Sequence, residues 1–149
     1  MRAMSKDQVK IAVVVSDFNV DISSKLLESF TNRAKEVEFQ INNIQVFNVP
    51  GAFEIPSIVK KLAITKKYDA IVTLGSVIRG ETIHFELIVQ QVAQGIREIA
   101  VDNDIPVIFG VLTVENENQA YDRIHKGSEF FDSTIKMIDL FSQISQEFN

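Results

Sequence analysis

At 149 residues, 46% hydrophobic and 23% charged, the chain has the composition of one folded globular domain spanning 1–149 and not of a disordered segment. Its formal net charge of −5 argues against nucleic acid as a partner, because such binding usually needs a clustered basic face. Zero cysteines exclude disulfides, thiolate nucleophiles and cysteine-bound metal. No apolar run approaches the roughly 20 residues of a membrane span, and the chain opens on no secretory signal pattern, so the expected location is cytoplasmic.

In chain order, Lys10–Val15 is a Val-rich apolar run, the pattern of a strand covered on both faces. Ile22, Leu26, Leu27, Phe30, Ala34 and Val37 then recur at helical spacing. Ile44–Val49 reads as a second strand, stopped by Pro50-Gly51, and Glu54–Lys66 as a helix with Pro56 tolerated in its first turn. Ala70–Leu74 is the third strand. Phe85–Val101 is a helix with Leu87, Ile88, Val92, Ile96 and Ile99 inward. Pro106–Leu112 is the fourth strand, and Glu117–Lys126 and Ser128–Phe148 are two helices broken around Gly127.

Strands alternating with helices imply right-handed crossovers and a parallel sheet covered on both faces. The expected fold is a flavodoxin-like three-layer α/β/α sandwich with a central four-stranded parallel sheet. In such sheets ligands bind beyond the carboxyl ends of the strands. Four segments leave those ends: Ser16–Asn19, Pro50–Glu54, Ser76–His84 and Thr113–Asn116. They hold nearly all the Gly, polar and aromatic residues that a core does not explain.

The most informative of them contains Arg79-Gly80-Glu81-Thr82-Ile83-His84. An apolar run that breaks at Gly and turns amphipathic reads as strand, loop and helix start. Free N–H groups and the positive dipole end at a helix start favour an anion. A histidine there moves protons near neutral pH, which points to chemistry on a small phosphorylated substrate.

Each residue also has a plainer reading. Phe18 is either a lid over the core or a stacking platform. Glu54 either complements the helix dipole or lines a pocket. Arg79 and Gly80 shape the loop, and Thr82 suits an N-cap, a role that coexists with phosphate contact. His125 and the pair Lys66-Lys67 read as solvated helix ends. Pro50-Gly51 is first of all a turn.

Other motif classes are missing. Two distant histidines without cysteine argue against a dedicated zinc site, so no metal is expected. No mononucleotide or dinucleotide glycine loop follows a strand, and there is no G-x-S-x-G elbow. A response-regulator receiver needs an Asp at the end of strand three, where this chain has Leu74-Gly75-Ser76.

Phe18-Asn19, the block Pro50-Gly51-Ala52-Phe53-Glu54-Ile55-Pro56, the stretch Leu74–Glu86 and Phe109–Thr113 closely resemble the 6,7-dimethyl-8-ribityllumazine synthase family, in order and with matching spacing from about Lys10 onward. The resemblance implies condensation of 5-amino-6-(D-ribitylamino)uracil with 3,4-dihydroxy-2-butanone 4-phosphate, without cofactor or metal, in the penultimate step of riboflavin biosynthesis. By match, Phe18 stacks on the pyrimidine, with Asn19 beside it as a further candidate. Ala52, Phe53 and Glu54 line the ribityl and pyrimidine pocket, and Ser76, Val77 and Ile78 meet the ring mainly through backbone. Glu81 and Thr82 bind phosphate through amides, Arg123 grips it with a guanidinium fork, and His84 carries the protons. Phe109 and Arg123 are expected from a neighbouring copy, with Lys126 as a further phosphate candidate. The implied assembly is a homopentamer, in some relatives closed into an icosahedral shell. The chain departs from the pattern in a shorter segment between Arg123 and Lys126, in Val114, and in the carboxylate of Glu81. Two other classes of function stay open: a non-catalytic flavin or lumazine binder, and a shell-forming structural protein.

Overall fold

A computed structural model describes residues 7–148; residues 1–6 and 149, the ends of the expected 1–149 domain, lie outside the described residues. The elements run β1 (Ile11–Ser16), α1 (Val20–Glu36), β2 (Ile44–Val49), α2 (Ile55–Ile64), β3 (Ala70–Ile78), α3 (His84–Asn103), β4 (Val107–Val114), α4 (Glu117–Tyr121) and α5 (Lys126–Phe148). Short 3-10 turns occupy Ile41–Asn43 and Ala52–Glu54. No described helix is long and apolar enough to cross a membrane.

The four strands form one parallel sheet in the order β2-β1-β3-β4. All six residues of β1 are buried, as its continuous apolar run requires when helices cover both faces. Along it, side chains alternate between two cores with the period of a strand. Ala12 and Val14 join Ile71 beneath Val59 of α2 and Val92 and Ile96 of α3. Ile11, Val13 and Val15 join Val72 and Leu74 beneath Phe30 and Ala34 of α1 and Phe131 and Ile138 of α5. Phe131 meets the edges of Phe30 and Phe39 at centroid distances of 5.3 and 5.5 Å. Each such side chain contributes about 1.5–3 kcal/mol on burial. The layers are therefore α1 and α5, the sheet, and α2 and α3: the expected α/β/α sandwich with its four-stranded parallel sheet.

Several local expectations are corrected. β3 does not end at Leu74 but runs through Gly75 and Ser76 to Ile78, because β4 pairs with it as far as Ile78↔Val114. The helix expected over Glu54–Lys66 begins at Ile55, after a 3-10 turn, and ends at Ile64. Gly127 does not break a helix. It sits in the first turn of α5, and the break falls at 122–125. A Cβ on Gly127 would stand 2.4 Å from the Leu26 carbonyl oxygen, so the residue is small because α1 passes against it. Leu87, expected inward on α3, is exposed, whereas Val92 and Ile96 are buried.

Candidate active site

At the carboxyl ends of the strands lies a cavity of about 800 Å³. Its position follows from the topology. The chain leaves β1 for β2 on one side and later returns to β3 on the other, and a crevice opens where the loops diverge.

The β1–α1 loop supplies Phe18 and Asn19. Asp17 N donates to Val49 O (2.7 Å), Phe18 N donates to Pro50 O (3.1 Å), and Asn48 Nδ2 donates to Asp17 Oδ1 (2.8 Å). Asn19 takes a left-handed conformation (φ 59°), which asparagine tolerates, and its carbonyl accepts from Ile22 N and Ser23 N of α1. Phe18 is thus held by its backbone while its ring stays 69% exposed. It is not a lid over the core.

The β2–α2 connection brings Gly51, Ala52, Phe53 and Glu54 to the cavity. Their 3-10 turn closes with Glu54 N donating to Gly51 O (3.2 Å). Ala52 is buried, Phe53 is 61% exposed, and the Glu54 carboxylate lies beside Gly51, within 3.8 Å of where a Cβ would stand. Two open aromatic faces and one carboxylate suit a flat, polar-edged ring.

β3 and the loop after it supply Ser76, Val77, Ile78, Gly80 and Thr82, and α3 supplies His84, Phe85 and Ile88. Ser76 is 2% exposed and its hydroxyl has no hydrogen-bond partner among the described residues. His84 is the first residue of α3. Ile83 precedes it without a side-chain cap, and Thr82 Oγ1 accepts from His84 N at 3.3 Å. Thr82 therefore serves the helix start one position before the N-cap. An imidazole beside first-turn N–H groups combines a proton carrier with a site that favours an anion. A Cβ on Gly80 would meet nothing within 4 Å, and its φ is not positive, so its backbone borders open space.

Arg79 ties this loop to its surroundings. Its N–H donates to Val114 O (2.9 Å), its Nε to Glu115 Oε2 (2.8 Å) and its Nη1 to Glu86, while the guanidinium carbon lies 4.5 Å from the Phe85 ring centroid. Hydrogen bonding to Arg79, helped by a backbone hydrogen bond at Glu86, holds the Glu86 carboxyl below its ordinary range. Glu86, and then Glu115, push the guanidinium up, against its own desolvation.

Other sequence-predicted residues stand apart. Glu81 is exposed outside the cavity lining. Phe109 lies on the edge strand β4, partly exposed, and does not line the cavity. Arg123 follows α4, exposed, with Nη1 donating to Gln119 O (2.9 Å). Lys126 Nζ lies 3.8 Å from Glu129 Oε2. Of the fourth loop, Thr113–Asn116, none lines the cavity; Glu117 just beyond it does. Sequence reasoning also missed Phe85, Ile88 and the partners of Arg79. Ile88 was findable, since it lies one helical turn after His84 on the same face. Among the described residues, no three His, Asp or Glu side chains are grouped to hold a metal ion.

Residues 8–142 match the family model of 6,7-dimethyl-8-ribityllumazine synthase. The chain is 42% identical over 146 residues to the 6,7-dimethyl-8-ribityllumazine synthases of Coxiella burnetii strains Dugway and RSA 493 / Nine Mile phase I. Each match covers 95% of this chain and 97% of the relative.

Proposed function

The chain belongs to the 6,7-dimethyl-8-ribityllumazine synthase family, and we infer from this that it is the transferase its relatives are named for. It condenses 5-amino-6-(D-ribitylamino)uracil with 3,4-dihydroxy-2-butanone 4-phosphate and releases phosphate, as the penultimate step of riboflavin biosynthesis. The observation that carries the reading is the placement of His84 at the first turn of α3, in the same cavity as the open rings of Phe18 and Phe53.

The residues fit the steps. The pyrimidine lies on Phe18, with the ribityl chain toward Ala52, Phe53 and the Glu54 carboxylate, and ring edges toward the backbone of Ser76, Val77 and Ile78. The phosphate lies at the amides of Gly80–Thr82 and the α3 start. The amine attacks the ketone to give an imine and one water, phosphate leaves by elimination, and ring closure with loss of a second water gives the lumazine. Each step moves a proton, so His84 serves in turn as acid and base. Holding two reactants together supplies much of the remaining acceleration.

The proposal extends to a homo-oligomer, a pentamer, in which Phe109 and Arg123 reach a neighbour's cavity. Both side chains stand outside the cavity of their own protomer, which supports that arrangement. One domain over the whole chain and a cytoplasmic location rest on the same family membership. The test is to mix protein and both substrates and follow lumazine absorbance against a protein-free control. Acceleration supports the reading; product binding without acceleration favours a non-catalytic binder.

A further inference from the structure

The loop that would hold the phosphate has acidic surroundings. Glu81 lies within it, Glu86 sits in the first turn of α3, and Glu115 follows β4. Carboxylates so near an anion site raise the cost of bringing a phosphate there. Among the described residues, the cation bonded to two of them is Arg79, whose side chain also lies over Phe85, the residue next to His84.

We propose that Arg79 is a positioning residue for the reaction: its guanidinium fixes the first turn of α3 against the end of β4 and neutralises Glu86 beside the phosphate-binding amides. This rests on the reading of 80–84 as the phosphate loop. The helix start lacks a side-chain cap at Ile83, and the path from β3 to His84 is neither strand nor helix over residues 79–83. Beyond the Thr82 Oγ1 contact to His84 N, its orientation is set by contacts at its two ends. At the strand end Arg79 N extends the β3–β4 pairing to Val114 O, and at the helix end the Arg79 side chain grips Glu86 and covers Phe85. One residue thus joins both ends of the loop to a third element through Glu115.

Charge adds to this geometry. A planar fork can serve two carboxylates from different elements at once, and Arg79 donates through Nε to one and through Nη1 to the other. Exposed ion pairs contribute little to folding stability. The consequence of losing this one therefore appears in binding of the anion and not in melting.

The test compares Arg79→Met, Arg79→Gln and Arg79→Lys with the unaltered protein. It reads KM for each substrate, binding of inorganic phosphate by calorimetry, and melting temperature. Met and Gln are expected to raise KM for the butanone phosphate, and Kd for inorganic phosphate, roughly five- to ten-fold, with the pyrimidine KM held within about two-fold. Lysine, which keeps the charge but not the fork, restores phosphate binding to within about two-fold and leaves kcat lowered. Adding Glu86→Gln to Arg79→Met recovers part of the phosphate affinity, which a merely structural role for Arg79 does not produce. Equal losses for both substrates, an unrestored lysine variant, or no change in any variant each overturn the proposal. An unaltered protein that binds phosphate but makes no lumazine overturns the proposed function and leaves the phosphate-binding comparison intact.

Discussion

Gly75 of β3 lies against Ser16 of β1 so closely that a Cβ on the glycine would stand 2.9 Å from the Ser16 Cβ. Ser16 ends the strand that carries Asp17, Phe18 and Asn19, and Ser76 of the same cavity follows Gly75 directly. The end of β1 and the Gly75–Ser76 stretch of β3 thus share a packing contact beneath the cavity.

Substituting Gly75→Ala forces Ser16 to shift, and overpacking of this kind costs about 1–3 kcal/mol. Melting temperature should fall by roughly 3–10 °C. The KM for the pyrimidine should rise with it, because Phe18 is bonded to the same strand end. A variant that melts normally would mean that the strand ends yield without cost.

Phe18→Ala removes an exposed ring that the core does not use. Stability should stay within about 0.5 kcal/mol. Loss of an aromatic stack, worth about 0.5–1.5 kcal/mol, should weaken the pyrimidine by up to about ten-fold and leave the phosphate substrate unaffected. Steady-state kinetics with each substrate varied in turn checks both.

Arg123→Ala should weaken the butanone phosphate far more than the pyrimidine. A bidentate guanidinium on phosphate makes a charge-assisted contact worth about 1.5–3 kcal/mol, so the KM ratio should change by about ten- to a hundred-fold. Equal losses for both substrates would remove Arg123 from the phosphate site. Mixing Arg123→Ala with His84→Ala protein under assembly exchange should recover activity if the residues come from different copies.

The Arg79–Glu86 pair gives a pH dependence of known sign. The folded carboxyl is held below its ordinary value, so its contribution is present above the unfolded value and is lost as pH falls through the lowered folded value. The difference in melting temperature between unaltered protein and Glu86→Gln should be small at neutral pH, the pair being exposed, and should close in acid below the ordinary carboxylate range. A difference that stays constant into acid would dissociate Glu86 from Arg79.

Much of this is legible in the sequence, because hydrophobic runs and helical periods report burial directly. The Val-rich run Lys10–Val15 marks β1, buried throughout over Ile11–Ser16, and the strand expected over Ile44–Val49 lies there as β2. Two of the errors fall at glycines. The sequence reading ends the third strand at Leu74 and breaks a helix around Gly127, yet Gly75 and Gly127 lie inside their elements, where a neighbouring strand or helix passes too close for a side chain. Sequence shows a missing Cβ but not which partner requires its absence. At the site, residues after β1, β2 and β3 come together because the parallel sheet places those ends side by side. Phe109 and Arg123 do not join them within one protomer: β4 is an edge strand, and Arg123, just past α4, turns back onto that helix at Gln119. The partners of Arg79 are hidden for a related reason, since Glu115 is near it only through strand pairing.

His84 is expected to carry the protons of the reaction in this cavity. The most direct measurement is the rate of lumazine formation from both substrates for unaltered protein and His84→Ala, each corrected for the protein-free reaction, with phosphate release followed in parallel. Clear acceleration by the unaltered protein is expected, with equal release of lumazine and phosphate, and a rate about 10²–10⁴-fold lower for His84→Ala with assembly unchanged. A His84→Ala protein that turns over at the unaltered rate would contradict it.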